Sequence, residues 1–287
     1  MPANGPWRSW LRSLPAWLIV LLPGALAYGA TPVVLSSEKT GELVHYAYSS
    51  LLGTGVYQLD DRNVYVFRAP FSYQIRPVAE KKPGLRLMLP VTVGLHDFNF
   101  REVDKILDAR IATITAVPGI EMEFQPRPQW SVRPSVYAGI GFDGTNSETS
   151  FIYAAALRSV YELDTRNPRI SIGAEGLLSG YAPESGQSKF LTRFGLGLDT
   201  VFPTDWHLGK GRVFINPQLI GYAYLKEMSF ETITENDIGV RAEFQAGLAI
   251  GREPTIEILG FSLERAGIAY RRGPHLKALV FVFDFPF

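Results

Sequence analysis

The stretch Ala278–Phe287 reads ALVFVFDFPF. Phenylalanine occupies alternate positions there, Phe281, Phe283, Phe285 and Phe287, with Leu279 on the same parity. Side chains alternate across an extended chain with a period of two, so the pattern predicts a strand with one aromatic face. Val280, Val282, Asp284 and Pro286 fall on the other face. The free edge of such a strand would aggregate in water, which predicts a strand partner for it.

The same period runs back through the chain. In Asn63–Arg76, Tyr65, Phe67, Phe71, Tyr73 and Ile75 alternate with Val64, Val66, Arg68, Ser72, Gln74 and Arg76. In Leu85–His96, leucines and valines alternate with Arg86, Met88, Pro90, Thr92, Gly94 and His96. Comparable alternation spans Ile114–Phe124, Trp130–Phe142, Phe151–Leu163, Ile170–Leu178, Phe190–Phe202, Val213–Leu225 and Ile238–Ile250. Two segments fit less well. His45–Gln58 is strand-like without a clear phase, and Ile256–Arg271 changes phase near Gly260, where a bulge would restore one face. The total is about twelve strands, an even number as in bacterial membrane barrels.

Strand length points the same way. Strands of soluble proteins cluster near five or six residues, whereas a tilted membrane-crossing strand needs about nine to eleven. Many of the predicted segments exceed ten residues. The connections alternate between a short, proline-marked set (QPRPQ, DTRNP, GREPT, the longer VAEKKPG, and the exceptional TDWHLGKG) and a longer set such as DFNFREVDKILD and KEMSFETITEND. The fold class expected is all-β: an antiparallel transmembrane β-barrel of about twelve strands, filling residues 42–287. Pro70, Pro90, Pro118, Pro134 and Pro217 oppose it, because a proline removes a ladder donor. Bulges or rim positions are expected to absorb some of them.

Composition narrows the functions available. The 287 residues hold 28 basic and 28 acidic side chains, which argues against nucleic-acid binding. Cysteine is absent, which excludes disulfides, thiolate metal sites and cysteine catalysis. Residues 1–27 read as a signal peptide: Arg8 and Arg12, then LPAWLIVLLPGALA, with cleavage expected after Ala27. A membrane anchor is the alternative, but the run is short and broken by Pro15 and Pro23. Residues 28–41 form a short N-terminal segment, a tail or a plug, of which the tail is favoured.

The two faces of the strands differ in chemistry. Aromatics sit near the segment ends on the apolar face, as at Trp130, Phe142, Phe190 and Phe202, where membrane interfaces place them. A soluble barrel with this face inside is the alternative, and its weakness is volume: too many large side chains for one small interior. The other face is expected to line the lumen with Arg68, Arg86, Glu121, Glu123, Arg133, Arg158, Glu175, Arg193, Asp199, Arg212, Arg241 and Glu243. Arginine pairs well with carboxylates, so mixed charge can lock a barrel shut or line a pore. Near-balance of sign favours the ion-paired reading, since a strongly selective pore shows one sign in excess.

No catalytic constellation stands out. Of the four histidines, His45, His96, His207 and His275, His96 alone has an adjacent acid, Asp97. There is no GxSxG, HExxH or P-loop pattern. Outer-membrane phospholipase A and lipid A deacylase each carry a strand histidine followed closely by a catalytic serine, and no histidine here has that context. The expectation is no catalytic residue, no cofactor and no metal site.

As a whole, the mature chain resembles a Gram-negative outer-membrane β-barrel. Barrels of that class end in a strand with alternate apolar residues and a terminal phenylalanine, which the assembly machinery reads. Phe281, Phe283, Phe285 and Phe287 match that outer-membrane assembly signal, while Val280 and Val282 stand where the pattern prefers a polar residue and a glycine. Within the class, VPGIEMEFQPRPQWSVRPSVYAGIGFD at Val117–Asp143 and LERAGIAYRR at Leu263–Arg272 resemble solitary autotransporter-type barrels that lack a passenger. The resemblance implies an outer-membrane location, with membrane lipid and the assembly machinery as partners, and no substrate or catalytic residue to carry over. Three roles follow: a structural or interaction barrel closed by ion pairs, a narrow porin-like channel, or an enzyme acting on lipid.

Overall fold

A computed structural model describes residues 52–59, 62–79, 82–96, 111–144, 147–165, 167–184, 188–231, 237–258, 261–274 and 276–287. The predicted signal peptide, residues 28–41, and the start of the His45–Gln58 segment lie outside them.

Thirteen strand segments follow in order: β1 Gly55–Leu59, β2 Arg62–Arg76, β3 Gly84–His96, β4 Ile111–Ala116, β5 Gly119–Arg127, β6 Trp130–Asp143 and β7 Glu148–Glu162. Then come β8 Arg169–Pro183, β9 Lys189–Leu208, β10 Gly211–Glu231, β11 Asp237–Ile258, β12 Phe261–Gly273 and β13 Leu276–Val282. Both β4 and β5 lie between β3 and β6, so they are two halves of one wall strand. The result is a closed antiparallel barrel of 12 strands. Closure falls between β1 and β13, from Gly55↔Val280 to Leu59↔Leu276.

The outer surface is apolar. Val136, Leu157, Leu178, Leu196 and Leu248 are exposed around the middle, with Phe142, Phe151 and Phe190 toward one rim and Tyr73, Phe202 and Trp206 toward the other. So extended an apolar band is larger than the patches usual on soluble monomers and is compatible with the outer face of a transmembrane barrel.

The prolines sit where a ladder is already broken. Pro70 faces Pro90 across β2–β3, and the β1–β2 ladder has ended by then at Gly55↔Val66. Pro90 in turn lies against the gap between β4 and β5, where the Val117 amide donates to the Pro90 carbonyl. Pro118 forms that gap. The β5–β6 ladder skips Pro134 between Glu121↔Ser135 and Phe124↔Val132. The β9–β10 ladder skips Pro217 between Ile215↔Phe202 and Gln218↔Asp199. Asn216 Nδ2 donates to the Thr200 carbonyl at 2.9 Å, supplying the bond that Pro217 cannot make.

Three boundaries differ from expectation. GREPT is not a turn: β11 runs through it to Ile258, with a register irregularity between Gly251 and Ile256. β11 ends at Ile258 and β12 starts opposite it at Phe261, so the phase change near Gly260 marks the passage from one strand to the next. TDWHLGKG is mostly strand, and the chain reverses only at Gly209–Lys210, with Gly209 at φ 63°. Glycine adopts that left-handed conformation without strain.

The largest correction concerns the terminal stretch. β13 ends at Val282, so the strand does not continue to Phe287. Phe281 and Phe283 are exposed on the outer side, but Phe285 and Phe287 are 8% and 2% exposed. The physical reason lies in the neighbours. Beyond Phe281, whose amide donates to the Thr54 carbonyl, β1 offers no further ladder partner. The chain leaves the wall and turns inward, where burial of two aromatic rings is favourable.

Candidate functional site in the lumen

The described side chains that face the lumen fall into groups along the barrel. The rim at which β13 ends is termed the tail rim, the opposite one the far rim. One hydrophobic cluster holds Tyr57, Val66, Ile152, Tyr181, Leu191, Tyr224, Val240 and Leu276 toward the far rim, and it also includes Tyr222, Phe285 and Phe287. The far-rim members occupy the ends of their strands away from β13's exit.

The middle layer is charged. Arg86 Nη1 lies 3.2 Å from Glu121 Oε1, and Arg158 Nη1 lies 3.4 Å from Glu121 Oε2. Arg158 Nε reaches Glu175 Oε2 at 3.1 Å, and Arg193 Nη2 reaches Glu175 Oε1 at 2.6 Å. The register creates this chain, since Arg86 is opposite Glu121 and Arg158 opposite Glu175. Arg193 and Arg271 both stack on Tyr222, at 4.6 and 5.1 Å from its ring centroid. Arg271 also donates to Gln245 Oε1 and lies 3.6 Å from Glu243. Low dielectric strengthens each of these contacts and makes an unpaired member costly.

Nearer the tail rim, Asp199 receives Arg265 Nη1 at 2.9 Å and Asn216 Nδ2 at 2.9 Å. The tail itself lies beside this group. Phe285 and Phe287 make an edge-to-face pair with centroids 4.9 Å apart. Three glycines on β8 and β9 make room for the second ring. A Cβ at Gly173, Gly195 or Gly197 would come within 2.5, 2.9 or 2.4 Å of Phe287 side-chain atoms. Gly173 and Gly197 face each other across the two strands. Arg133 Nη2 donates to the main-chain oxygen of Phe287.

The residues expected in the lumen fall in different environments. Arg86, Glu121, Arg158, Glu175 and Arg193 form one chain, Glu243 sits by Arg271, Asp199 belongs to the second group, Arg133 holds the tail, and Arg68 faces a cavity. Glu123 is half-buried on β5 beside Gly84, apart from the chain. Arg212 is on the tail rim, exposed, bonding the Thr204 carbonyl and Asp205. Arg241 is exposed because β10 and β11 shift register between Ala223 and Met228, which gives the inward position to Val240.

Asn216 and Gln245 fall on the polar parity of their segments and are buried, whereas Arg265, Arg271 and Tyr222 were not expected. A signal for two of them was present: Arg265, Gly267, Ala269 and Arg271 share a parity opposite Ala266, Ile268 and Tyr270. Their phase is readable only once the strand boundaries at Ile258 and Phe261 are known.

His96 ends β3 and His207 lies near the β9–β10 turn, where its ring is 3.0 Å from the Asp205 carbonyl oxygen; His45 and His275 lie outside the described residues. Among the described residues no group of three or more His, Asp or Glu could hold a metal ion, and no helix is long and apolar enough to cross a membrane. No protein-family model matches the chain, and no curated protein matches it. The architecture defines the class: a closed 12-strand antiparallel barrel, consistent with an outer-membrane barrel protein.

Proposed function

We propose that the protein is a Gram-negative outer-membrane barrel of the solitary autotransporter type, with a structural or interaction role and a closed lumen. The observation that carries this reading is how much of the lumen the barrel's own side chains occupy. A hydrophobic cluster, buried ion pairs and the inward-turned aromatic tail all lie inside it. Ions cross a pore only where water can accompany or replace their hydration, and the apolar side chains toward the far rim disfavour such a path. The lipid-facing band and the rim aromatics support the membrane location.

The reading gives the protein no catalytic residue and no cofactor, and its partners are membrane lipid and, during biogenesis, the assembly machinery. Purified full-length protein in planar bilayers tests it. Silence under applied voltage is expected, and stable stepwise conductance would establish a porin-like channel instead. A lipid-hydrolysis assay on the same preparation tests the enzyme reading, with turnover abolished by His96→Ala as the result that would favour it.

A further inference from the structure

Between the charged layer and the tail lies a cavity of about 160 Å³. Residues 280–284 and Pro286 bound one side, and Arg68, Thr115, Arg158 and Gln218 are among the groups on its walls. A cavity of this size holds a molecule of about six heavy atoms, with no room for an acyl chain.

Its chemistry is unbalanced. Four arginines line it against two carboxylates, Glu175 and Asp284. Glu175 is already shared by Arg158 and Arg193. Arg68 differs from the other three arginines. Its backbone is fixed, since Arg68 N and O both bond Thr54 Oγ1. Its Nε is buried without a hydrogen-bond partner. Like-charged Arg158 and Arg193 act on it. Two further lining groups are orphaned. Thr115 and Gln218 are each 1% exposed, and the Thr115 hydroxyl and both Gln218 amide atoms lack hydrogen-bond partners. Buried polar groups are ordinarily satisfied, and a guanidinium fork matches an oxyanion.

We propose that this cavity is a binding site for a small oxyanion of phosphate or carboxylate type, seated against the Arg68 guanidinium. The Thr115 hydroxyl and the Gln218 amide supply neutral donors around it. Arg68 as a whole residue is half-buried. The site does not depend on whether the barrel conducts. A conducting barrel with this cavity would bind the same anion, so conductance and binding are separate measurements.

Titration calorimetry of the detergent-solubilised full-length protein with sodium phosphate, at ionic strength held constant with sodium chloride, tests the site. Saturable binding at about one phosphate per chain is expected. Arg68→Gln should weaken it about tenfold or more, the loss of at least 1.4 kcal/mol. Arg212→Gln, on the exposed rim, should leave it unchanged. Thr115→Val serves as a second variant and should weaken binding without removing a charge. Absence of saturable heat in the native protein, or equal weakening by Arg68→Gln and Arg212→Gln, would overturn the proposal and leave a water-filled cavity.

Discussion

Arg133 on β6 donates a hydrogen bond to the main-chain oxygen of Phe287, a residue 154 positions further along the chain. The contact lies inside the lumen, and it anchors the last residues of the sequence to the opposite wall. A terminal phenylalanine facing lipid could not make it.

Phe287→Ala separates the inward and outward placements of this ring. A buried phenylalanine truncated to alanine costs about 3–5 kcal/mol, whereas a lipid-facing one leaves no cavity. We expect a marked fall in the urea midpoint, read by the mobility difference between folded and unfolded forms on unheated gels. Phe281→Ala, on the exposed face, should shift it far less. Equal, small shifts for both would return Phe287 to the outside.

The glycine floor gives an independent test. Gly197→Leu would place side-chain atoms where the Phe287 ring now lies. The expected result is expulsion of the tail and rapid release of phenylalanine by carboxypeptidase in detergent. The native protein should resist the protease under the same conditions, because cleavage needs the open form. Resistance in the variant would mean that the floor is not what seats the ring.

The charged layer should show the asymmetry of buried ion pairs. Glu175→Gln leaves Arg158 and Arg193 without their shared carboxylate, and breaking such a pair costs about 3–5 kcal/mol. Glu253→Gln breaks the Arg169–Glu253 pair, whose side chains are 52% and 58% exposed; exposed pairs contribute about 0–1 kcal/mol. Chemical denaturation of the two variants beside the native protein measures the difference. Comparable losses would mean that the middle layer is wetter than its geometry indicates.

The outer face can be tested in lipid. Leu157 projects from the middle of the apolar band and is 55% exposed. Leu157→Arg should cost about 2–4 kcal/mol for a folded barrel in bilayers. In a soluble barrel, an arginine at an exposed position would change stability by less than about 0.5 kcal/mol. Reversible folding titrations into lipid vesicles supply the number.

Much of the fold was legible because a strand repeats its environment every two residues. The outward leucines and phenylalanines of β6 to β9 fell on the expected parity, and so did Glu121, Arg158, Glu175 and Arg193 inside. Legibility failed where the register slips. Arg241 lost its inward position at the β10 irregularity, and Arg265 and Arg271 were hidden by a turn misplaced to GREPT. A two-residue period carries no information across an irregularity, because one extra residue exchanges the faces.

The amino-acid sequence by itself determined the class of molecule: long alternating strands, an apolar outer face, a charge-balanced inner one, and an aromatic end. Local alternation suffices for that, since each side chain's face depends only on its neighbours along the strand. The tertiary structure alone decided which charges meet, where the prolines are tolerated, and which way the last rings turn. Those outcomes depend on partners far away in the chain. Phe285 and Phe287 keep the parity of Phe281 and Phe283, yet they are buried because the β1–β13 ladder reaches no further than Gly55↔Val280, and because Gly173, Gly195 and Gly197 leave a space that one ring fills.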